Sequence, residues 1–181
     1  MLKREMDADT IAAPNPAFLA DVLDGLCQRP RAIPARWFYD HRGSELFEAI
    51  TALPEYYPTR IETALLRAIG GQIASHTGHG HAVIEFGSGS SAKTPLLLEA
   101  VRASAYVPID ISGEFLRESS QALSLRFPHL PIHPLATDFL KPIALPTEVR
   151  GLPKLGFFPG STIGNLIPPS LLAGPLRISL E

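Results

Sequence analysis

Residues 82–94 read Ala-Val-Ile-Glu-Phe-Gly-Ser-Gly-Ser-Ser-Ala-Lys-Thr, and this stretch decides the class of fold. Its first five residues, Ala82–Phe86, are apolar apart from one acid, which predicts a short buried strand. The small residues of Gly87–Ser91 predict a tight loop, because glycine adopts backbone angles that other residues avoid. From Ala92 to Ala103 the sequence predicts a helix. A strand, a glycine-rich loop and a helix in this order are typical of α/β sheets that bind a ligand at the carboxyl ends of their strands.

The ligand of this loop has four interpretations when the stretch is taken alone. A dinucleotide fits the spacing of the two glycines and Ala92, with Asp110 about 20 residues further on, where a ribose-binding acid belongs. A phosphate-binding P-loop fits Lys93, but Ala92 stands where that pattern requires glycine. S-adenosylmethionine carries no phosphate, and Glu85 before the loop is more compatible with a sulfonium than with a pyrophosphate. Glycines that serve the turn geometry alone are the fourth interpretation.

The remaining pattern after residue 77 predicts an α/β domain. Further strands are expected at Tyr106–Ile109, Ile132–Leu135 and Leu155–Phe158, and a helix is expected over Ser112–Phe127. Strands that alternate with helices form a parallel sheet with right-handed crossovers. We therefore expect a sheet of about four parallel strands within residues 77–181.

A helical portion, residues 1–76, precedes the sheet and is expected to contribute to a substrate pocket. Apolar side chains recur at helical spacing after Asn15 and again within Ser44–Leu53. Thr59 and Glu62 match a capping box, so a third helix is expected to start there. The expected buried face of that helix consists of Ile61, Leu65, Leu66 and Ile69.

Composition excludes several classes of partner. The formal net charge of the 181 residues is −2 and the pI is about 6.3, so neither nucleic acid nor a membrane surface is an expected partner. Cys27 is the one cysteine; no intrachain disulfide can form, and the residue is expected in the core. Neither a signal peptide nor an apolar run of ~20 residues is present, which predicts a soluble cytoplasmic protein, and a monomer is expected if the chain is complete. His76, His79 and His81 are interpreted as part of an exposed loop, and no metal is predicted.

Polar residues follow each predicted strand, and in a parallel sheet these positions share one edge. They are Gly87–Ser91, Asp110, Asp138-Phe139 and Gly160–Asn165. A carboxylate suits a ribose diol, which predicts that role for Asp110. Asp138 is predicted to accept a hydrogen bond from an adenine amino group, beside the ring of Phe139. Helix-capping or loop acids beside a core phenylalanine remain the alternative for these residues.

Five longer strings are more specific than these patterns. They are Phe38-Tyr-Asp-His-Arg-Gly-Ser-Glu-Leu-Phe47, Leu53-Pro-Glu-Tyr-Tyr-Pro-Thr-Arg60, Glu85-Phe-Gly-Ser-Gly-Ser-Ser-Ala-Lys-Thr94, Tyr106-Val-Pro-Ile-Asp-Ile-Ser112 and Gly156-Phe-Phe-Pro-Gly-Ser-Thr-Ile-Gly-Asn165. In order and spacing they resemble the histidine-specific, S-adenosylmethionine-dependent methyltransferase family, whose best-known members trimethylate the α-amino group of L-histidine for ergothioneine synthesis. The resemblance implies a Rossmann-like class I methyltransferase sheet, S-adenosylmethionine as cofactor, and histidine or a related amino acid as substrate.

The resemblance also implies roles for single residues. Cofactor contacts are implied for Gly87, Lys93, Asp110, Asp138 and Phe139. Tyr39 is implied as the catalytic residue where cofactor and substrate meet, and Tyr56 as the contact to the substrate imidazole. Gly160 and Asn165 are implied to hold the substrate amino and carboxylate groups. Family members continue well beyond this length, so we expect a C-terminally truncated member. An inactive cofactor-binding fragment and a nicotinamide-dependent oxidoreductase are the alternative functions.

Overall fold

The computed structural model describes residues 15–160 and the short strand Ile178–Ser179. Its contacts divide the chain into two units, with the boundary between Trp37 and Phe38. The predicted substrate contact Asn165 lies outside the described residues. Within the described ranges, no helix is both long enough and apolar enough to cross a bilayer.

The first unit contains helix α1 (Pro16–Cys27) and the first three residues of a 3₁₀ turn (Ala35–Phe38). The helix begins as predicted, because the Asn15 side chain caps it by accepting a hydrogen bond from the second residue of the helix at 2.9 Å. The Asp21 carboxylate accepts a hydrogen bond from the indole nitrogen of Trp37 at 2.6 Å. This bond, together with the neighbouring guanidinium of the turn, lowers the pKa of Asp21 below its ordinary value.

Cys27 does not lie in a core. The predicted burial of this residue is wrong, since the thiol is exposed at the last residue of α1. The apolar stripe that suggested burial is itself largely exposed in the described unit, with Leu23 at 58% and Leu26 at 46%. Helical spacing identified the apolar face correctly, but an apolar face is not by itself a buried one.

Two helices open the second unit, α2 (His41–Thr51) and α3 (Pro58–Thr77). The predicted capping box is wrong. The cap position is Tyr57 instead of Thr59, so helix α3 begins two residues earlier than expected, and no side-chain hydrogen bond caps it there. Thr59 and Glu62 therefore lie inside the first turns of the helix, whose first residue, Pro58, has no N–H of its own that would need a partner.

The buried face of α3 is narrower than predicted. Leu66 and Gly70 are buried, and a Cβ on Gly70 would lie 3.1 Å from the Cβ of Ala100 in the next helix. Ile61 and Leu65 are 61% and 51% exposed, so their predicted burial is wrong. Helix α3 packs closely on the next helix at Gly70, so the side of α3 that carries Gly70 faces the protein. Ile61 and Leu65 lie on a more exposed side of the helix.

The described part of the second unit also contains six strands: β1 (Ala82–Phe86), β2 (Ala105–Asp110), β3 (Leu135–Ala136), β4 (Ile143–Ala144), β5 (Lys154–Phe157) and β6 (Ile178–Ser179). Four of them form one parallel sheet in the order β3-β2-β1-β5, while β4 pairs with β6. Strand β1 is central, and all five of its residues are buried. The predicted α/β fold with a four-stranded parallel sheet is confirmed.

The third strand is shorter and later than predicted. The sequence indicated Ile132–Leu135, but the ladder to β2 consists of Leu135 and Ala136 alone. Ahead of it, the amide of His133 donates to the carbonyl of Tyr106 at 2.9 Å, which forms an isolated bridge. Pro134 follows directly and has no N–H to donate, so the ladder is interrupted before it resumes at β3.

Helices α4 (Thr94–Ala100) and α5 (Gly113–Arg126) pack on the sheet. Helix α4 is shorter than the predicted 92–103. Arg102, within the predicted range, has φ 47° and so cannot continue the helix, and Ser91, just before that range, has φ 53°. The left-handed turn at Ser91 shapes the loop that joins β1 to α4.

Both faces of the sheet carry a core, because successive residues of a strand point to opposite sides. On one face, Val83 and Tyr106 pack with Leu97 of α4 and Leu123 of α5. On the other face, Ile84 belongs to the cluster that includes the 3₁₀ turn at residues 147–149. With both faces covered, the polar groups of the sheet meet solvent at the strand ends.

Candidate functional site

A cavity lies at the carboxyl end of β1, the edge at which open α/β sheets bind ligands. It is a small cavity of about 90 Å³ that opens to solvent. Its walls come from α2, from the start of α3, from the loop after β1 and from Pro159-Gly160. Four predicted site residues line it: Tyr56, Gly87, Lys93 and Gly160.

Two glycines with positive φ angles shape the loop after β1. Gly87 and Gly89 have φ of 69° and 51°, which L side chains rarely adopt. The amides of Gly87 and Ser88 donate to the carbonyl of Ile109 at 2.8 and 3.1 Å, which ties the loop to the end of β2. A Cβ on Gly89 would meet nothing within 4 Å, so the space beside this glycine is open.

Asp110 ends β2 directly beside this loop. One carboxylate oxygen accepts from the amide of Gly89 at 2.9 Å and the other from the amide of Ser112 at 3.0 Å. The side chain is half-buried. A carboxylate fixed by two backbone donors at a strand end keeps further lone pairs for hydroxyl donors, which suits a ribose diol.

Glu62 is a site residue that the sequence did not reveal. Its Oε1 accepts from the amide of Gly160 at 2.7 Å, and its Oε2 pairs with the ammonium of Lys93. One carboxylate therefore joins α3, the loop after β1 and the end of β5. The partners lie 31 and 98 residues away in sequence, so no local signal indicates them. The spacing to Thr59 indicated a capping role instead.

Phe47 of α2 and Tyr56 after it supply the aromatic part of the cavity wall. The ring of Phe47 lies edge-on to Tyr39 at 6.2 Å and to Tyr56 at 5.9 Å between ring centroids. Phe47 and Tyr56 line the cavity, whereas Tyr39 does not line it and contacts Phe47 instead. The three rings thus connect the predicted catalytic residue to the predicted substrate contact.

Asp138 and Phe139 lie at the end of the neighbouring strands rather than in the cavity wall. The ring of Phe139 packs against Phe86 and Phe158 at centroid distances of 6.2 and 5.5 Å. One oxygen of Asp138 accepts from the amide of Leu140 at 2.9 Å. The half-buried Phe139 offers an apolar surface beside the end of β1, and both roles remain predictions.

Glu85 lies beneath the glycine-rich loop and is 1% exposed. Its carboxyl accepts hydrogen bonds from the hydroxyl of Thr94 at 2.7 Å and from the hydroxyl of Tyr106. Burial raises the pKa of Glu85 to about 7, and these two hydrogen bonds limit the rise. A carboxyl group whose pKa lies near neutral pH therefore borders the cavity.

The histidines singled out by composition do not form a cluster. His76 lies in the last turn of α3 rather than in a loop. Within residues 15–160, one group of three possible metal ligands occurs, formed by His41, Glu114 and Glu118. His41 Nε2 lies 3.5 Å from a carboxylate oxygen of Glu118, and both side chains are solvent-accessible, so a direct polar contact between α2 and α5 accounts for their proximity.

Comparison with known proteins gives a consistent family. The family model described as histidine-specific methyltransferase, SAM-dependent, matches residues 18–174. The chain is 41% identical over 157 residues to the histidine N-alpha-methyltransferase of Mycobacterium tuberculosis, covering 84% of this chain and 48% of that protein. It is 39% identical over 156 residues to the protein of the same name from Mycolicibacterium smegmatis, with 84% and 48% covered. It is 30% identical over 152 residues to the 4-dimethylallyltryptophan N-methyltransferase of Claviceps purpurea, with 80% and 44% covered.

The chain thus spans about half the length of these relatives, while the match extends over most of its own length. The five strings quoted from the sequence fall within the matched residues. The parallel sheet and the glycine-rich loop agree with a class I methyltransferase architecture. The chain belongs to the histidine-specific, S-adenosylmethionine-dependent methyltransferase family.

Proposed function

We propose that this chain binds S-adenosylmethionine in the cavity beside β1 and provides the cofactor half of an N-methyltransferase. The proposed acceptor is the α-amino group of L-histidine or a related amino acid. The observation that carries the proposal is the double contact of Glu62. It brings Lys93, an expected cofactor contact, and Gly160, an expected substrate contact, to one carboxylate.

The residues present fit this cofactor. The open space at Gly89 admits a ligand against the backbone, and Asp110 offers a carboxylate to a ribose diol at the same loop. Lys93 supplies one cation for the carboxylate of the methionine part. Glu85 would place a negative charge beneath a pyrophosphate, which disfavours a dinucleotide, whereas a sulfonium tolerates it. We infer that Asp138 and Phe139 hold the adenine at the end of the sheet.

When bound, S-adenosylmethionine supplies an electrophilic methyl group, so the protein has to position the amine and exclude competing reactions. We assign Tyr56 and Phe47 to the substrate ring, because they form an aromatic wall of the cavity. Glu62, bonded to the amide of Gly160, offers an acceptor to the substrate ammonium at that position. Tyr39 is proposed to act where the two ligands meet, and Asn165 to hold the substrate carboxylate.

The class of substrate is proposed from the relatives and from the cavity together. Two relatives are named for histidine and the third for 4-dimethylallyltryptophan, and both are aromatic amino acids. The aromatic wall suits either ring. We propose histidine because the two most identical of these relatives carry that name, and because Tyr56 can offer its hydroxyl to an imidazole nitrogen.

We further propose that the helical portion up to residue 76 contributes to the substrate pocket, which the lining of the cavity by α2 and α3 supports. A monomer in the cytoplasm that binds neither nucleic acid nor membrane is the proposed state. The net charge of −2 supports the second part, since no basic field is available to hold phosphates.

The test is calorimetric titration of the chain with S-adenosylmethionine, followed by mass spectrometry of L-histidine incubated with both. We expect saturable cofactor binding and methylated histidine. Heat with NAD but none with S-adenosylmethionine would contradict the proposed cofactor. Cofactor binding without any methylated histidine would contradict the activity and would leave a cofactor-binding chain.

A further inference from the structure

Four buried side chains form a chain of hydrogen bonds beneath the glycine-rich loop. The hydroxyls of Ser91 and Tyr106 lie 2.9 Å apart, and the Tyr106 hydroxyl donates to Oε2 of Glu85. The same oxygen accepts from the hydroxyl of Thr94 at 2.7 Å. Each of the four residues is at most 6% exposed, so water does not compete for these bonds.

The direction of this chain is defined when Glu85 is ionised. The carboxylate then accepts from Tyr106, which uses the phenol proton, and Ser91 donates its own proton to the phenol oxygen. Ser91 adopts φ 53°, a conformation that costs free energy in a residue with a side chain. Its bond to Tyr106 therefore holds the loop in a conformation that Ser91 does not prefer in isolation.

The anchors of the chain span the whole loop. Glu85 precedes the loop in β1, Ser91 lies within it, and Thr94 begins α4 after it. Tyr106 comes from the neighbouring strand β2, whose packing in the core fixes the position of the phenol. Both ends and the middle of the loop are thereby tied to the sheet.

The charge on Glu85 responds to its surroundings. Its pKa of about 7 leaves the carboxyl partly ionised at neutral pH. Lys93 on the loop side favours the ionised form, and Asp110 at the end of β2 opposes it. The residue of β5 that pairs with Glu85 is Phe157, which is apolar and adds no charge. The pKa of Tyr106 lies well above its ordinary value, so the phenol stays protonated. A cation in the cavity would add to the effect of Lys93.

We propose that Glu85, acting through Tyr106, Ser91 and Thr94, is a positioning residue that sets the loop for the cofactor, and that it releases its proton to solvent when the cationic cofactor binds. The inference rests on the proposed function, because it assumes S-adenosylmethionine in this cavity. That molecule carries two positive groups and one carboxylate, so its net charge favours an ionised Glu85.

The test is calorimetric binding of S-adenosylmethionine to the full chain at pH 7, in two buffers with different enthalpies of ionisation. We expect the native chain to release about half a proton more than Glu85→Gln, since half of the carboxyls are protonated at the pKa. The α-amino group of the ligand titrates near pH 8 and contributes equally to both proteins. The native dissociation constant is expected to fall as pH rises from 6 to 8, and that of Glu85→Gln to change less.

Two further ligand and protein changes sharpen the test. S-adenosylhomocysteine lacks the sulfonium charge, so its binding should release fewer protons from the native chain. Tyr106→Phe keeps the buried ring and removes the hydroxyl, and we expect about a tenfold loss of affinity for S-adenosylmethionine. Ser120→Ala is the matched control, because its buried hydroxyl has no hydrogen-bond partner among the described residues. Its affinity should stay unchanged.

Each result bears on a different claim. If S-adenosylmethionine does not bind the native chain, the proposed function and this inference both fail. If it binds with equal proton release in the native chain and Glu85→Gln, the inference fails and the function stands. Should Tyr106→Phe not fold, a carbon-13 NMR titration of Glu85 in the unliganded native chain still decides, because a midpoint near 4.5 would refute a proton-bearing carboxyl.

Discussion

The replacement of Asp110 by alanine tests the cofactor site most directly. Asp110 holds the amides of Gly89 and Ser112 with its two oxygens at 2.9 and 3.0 Å. The substitution removes both bonds and the proposed bonds to the ribose hydroxyls. It leaves the apolar core of β2 unchanged, since Asp110 is the half-buried last residue of that strand.

The magnitude follows from the kind of bond that is lost. Hydrogen bonds to a charged group contribute about 1.5–3 kcal/mol when buried, and the half-buried position of Asp110 lowers that range. One diol interaction with a carboxylate, together with some loss of loop order, then amounts to at least about 2 kcal/mol of binding free energy. That corresponds to a rise of about 30-fold in the dissociation constant of S-adenosylmethionine. Asp110→Asn keeps one acceptor oxygen, and we expect an intermediate loss of roughly fivefold.

Isothermal titration calorimetry measures both variants, and their thermal midpoints separate weaker binding from unfolding. Glu118→Ala is the matched control, because it removes an acidic side chain that is 58% exposed on α5 without contacting the loop. Its dissociation constant should stay within about twofold of the native value. An unchanged affinity in a folded Asp110→Ala protein would remove Asp110 from the site and refute the assignment of the cavity.

Three predictions concern stability and use urea unfolding. Glu62→Ala should lose about 1–2 kcal/mol of unfolding free energy, because it removes the half-buried ion pair with Lys93 and the hydrogen bond from the amide of Gly160. The control Glu99→Ala breaks the exposed ion pair with Arg126 and should lose less than about 0.5 kcal/mol. Equal losses in the two variants would contradict the structure. Gly160→Ala should cost about 1–2 kcal/mol because φ is 77° there, whereas Gly151→Ala, with open space around it, should cost less. The pKa of Glu85 is raised to about 7 in the folded chain from an ordinary 4.5, so the folded state binds more protons and stability should fall by up to about 3 kcal/mol between pH 4.5 and 8. A Glu85→Gln chain with the same pH slope would assign that slope to other groups.

The central part of the fold could be predicted because its signals are local. Four apolar residues and one acid before two glycines predicted β1, and the structure buries all five. The end of β2 at Asp110 was likewise readable from the change between apolar and polar residues. The bounds of the third strand were predicted wrongly because Pro134 has no N–H to donate to the strand ladder, although the run of residues around it looks continuous in sequence. Local periodicity cannot show where a missing N–H divides a ladder.

The site was only partly predictable because its contacts are distant in sequence. Thr59 and Glu62 satisfy the spacing of a capping box, and that pattern concealed the contacts of Glu62 with Lys93 and Gly160. The face of α3 was misassigned for a related reason. Gly70 approaches Ala100 closely, and only tertiary packing reveals that a small residue, rather than Ile61, faces the protein.

The hydrogen bond between Glu62 and Gly160 also indicates when the cavity forms during folding. It joins residues 98 apart, so the cavity cannot close until the chain up to Gly160 has folded onto α3. Contacts of such long range form late and slow the approach to the native state. A ligand that binds only the closed cavity would therefore stabilise the last-formed contacts of the chain, and the folded fraction would rise with ligand concentration.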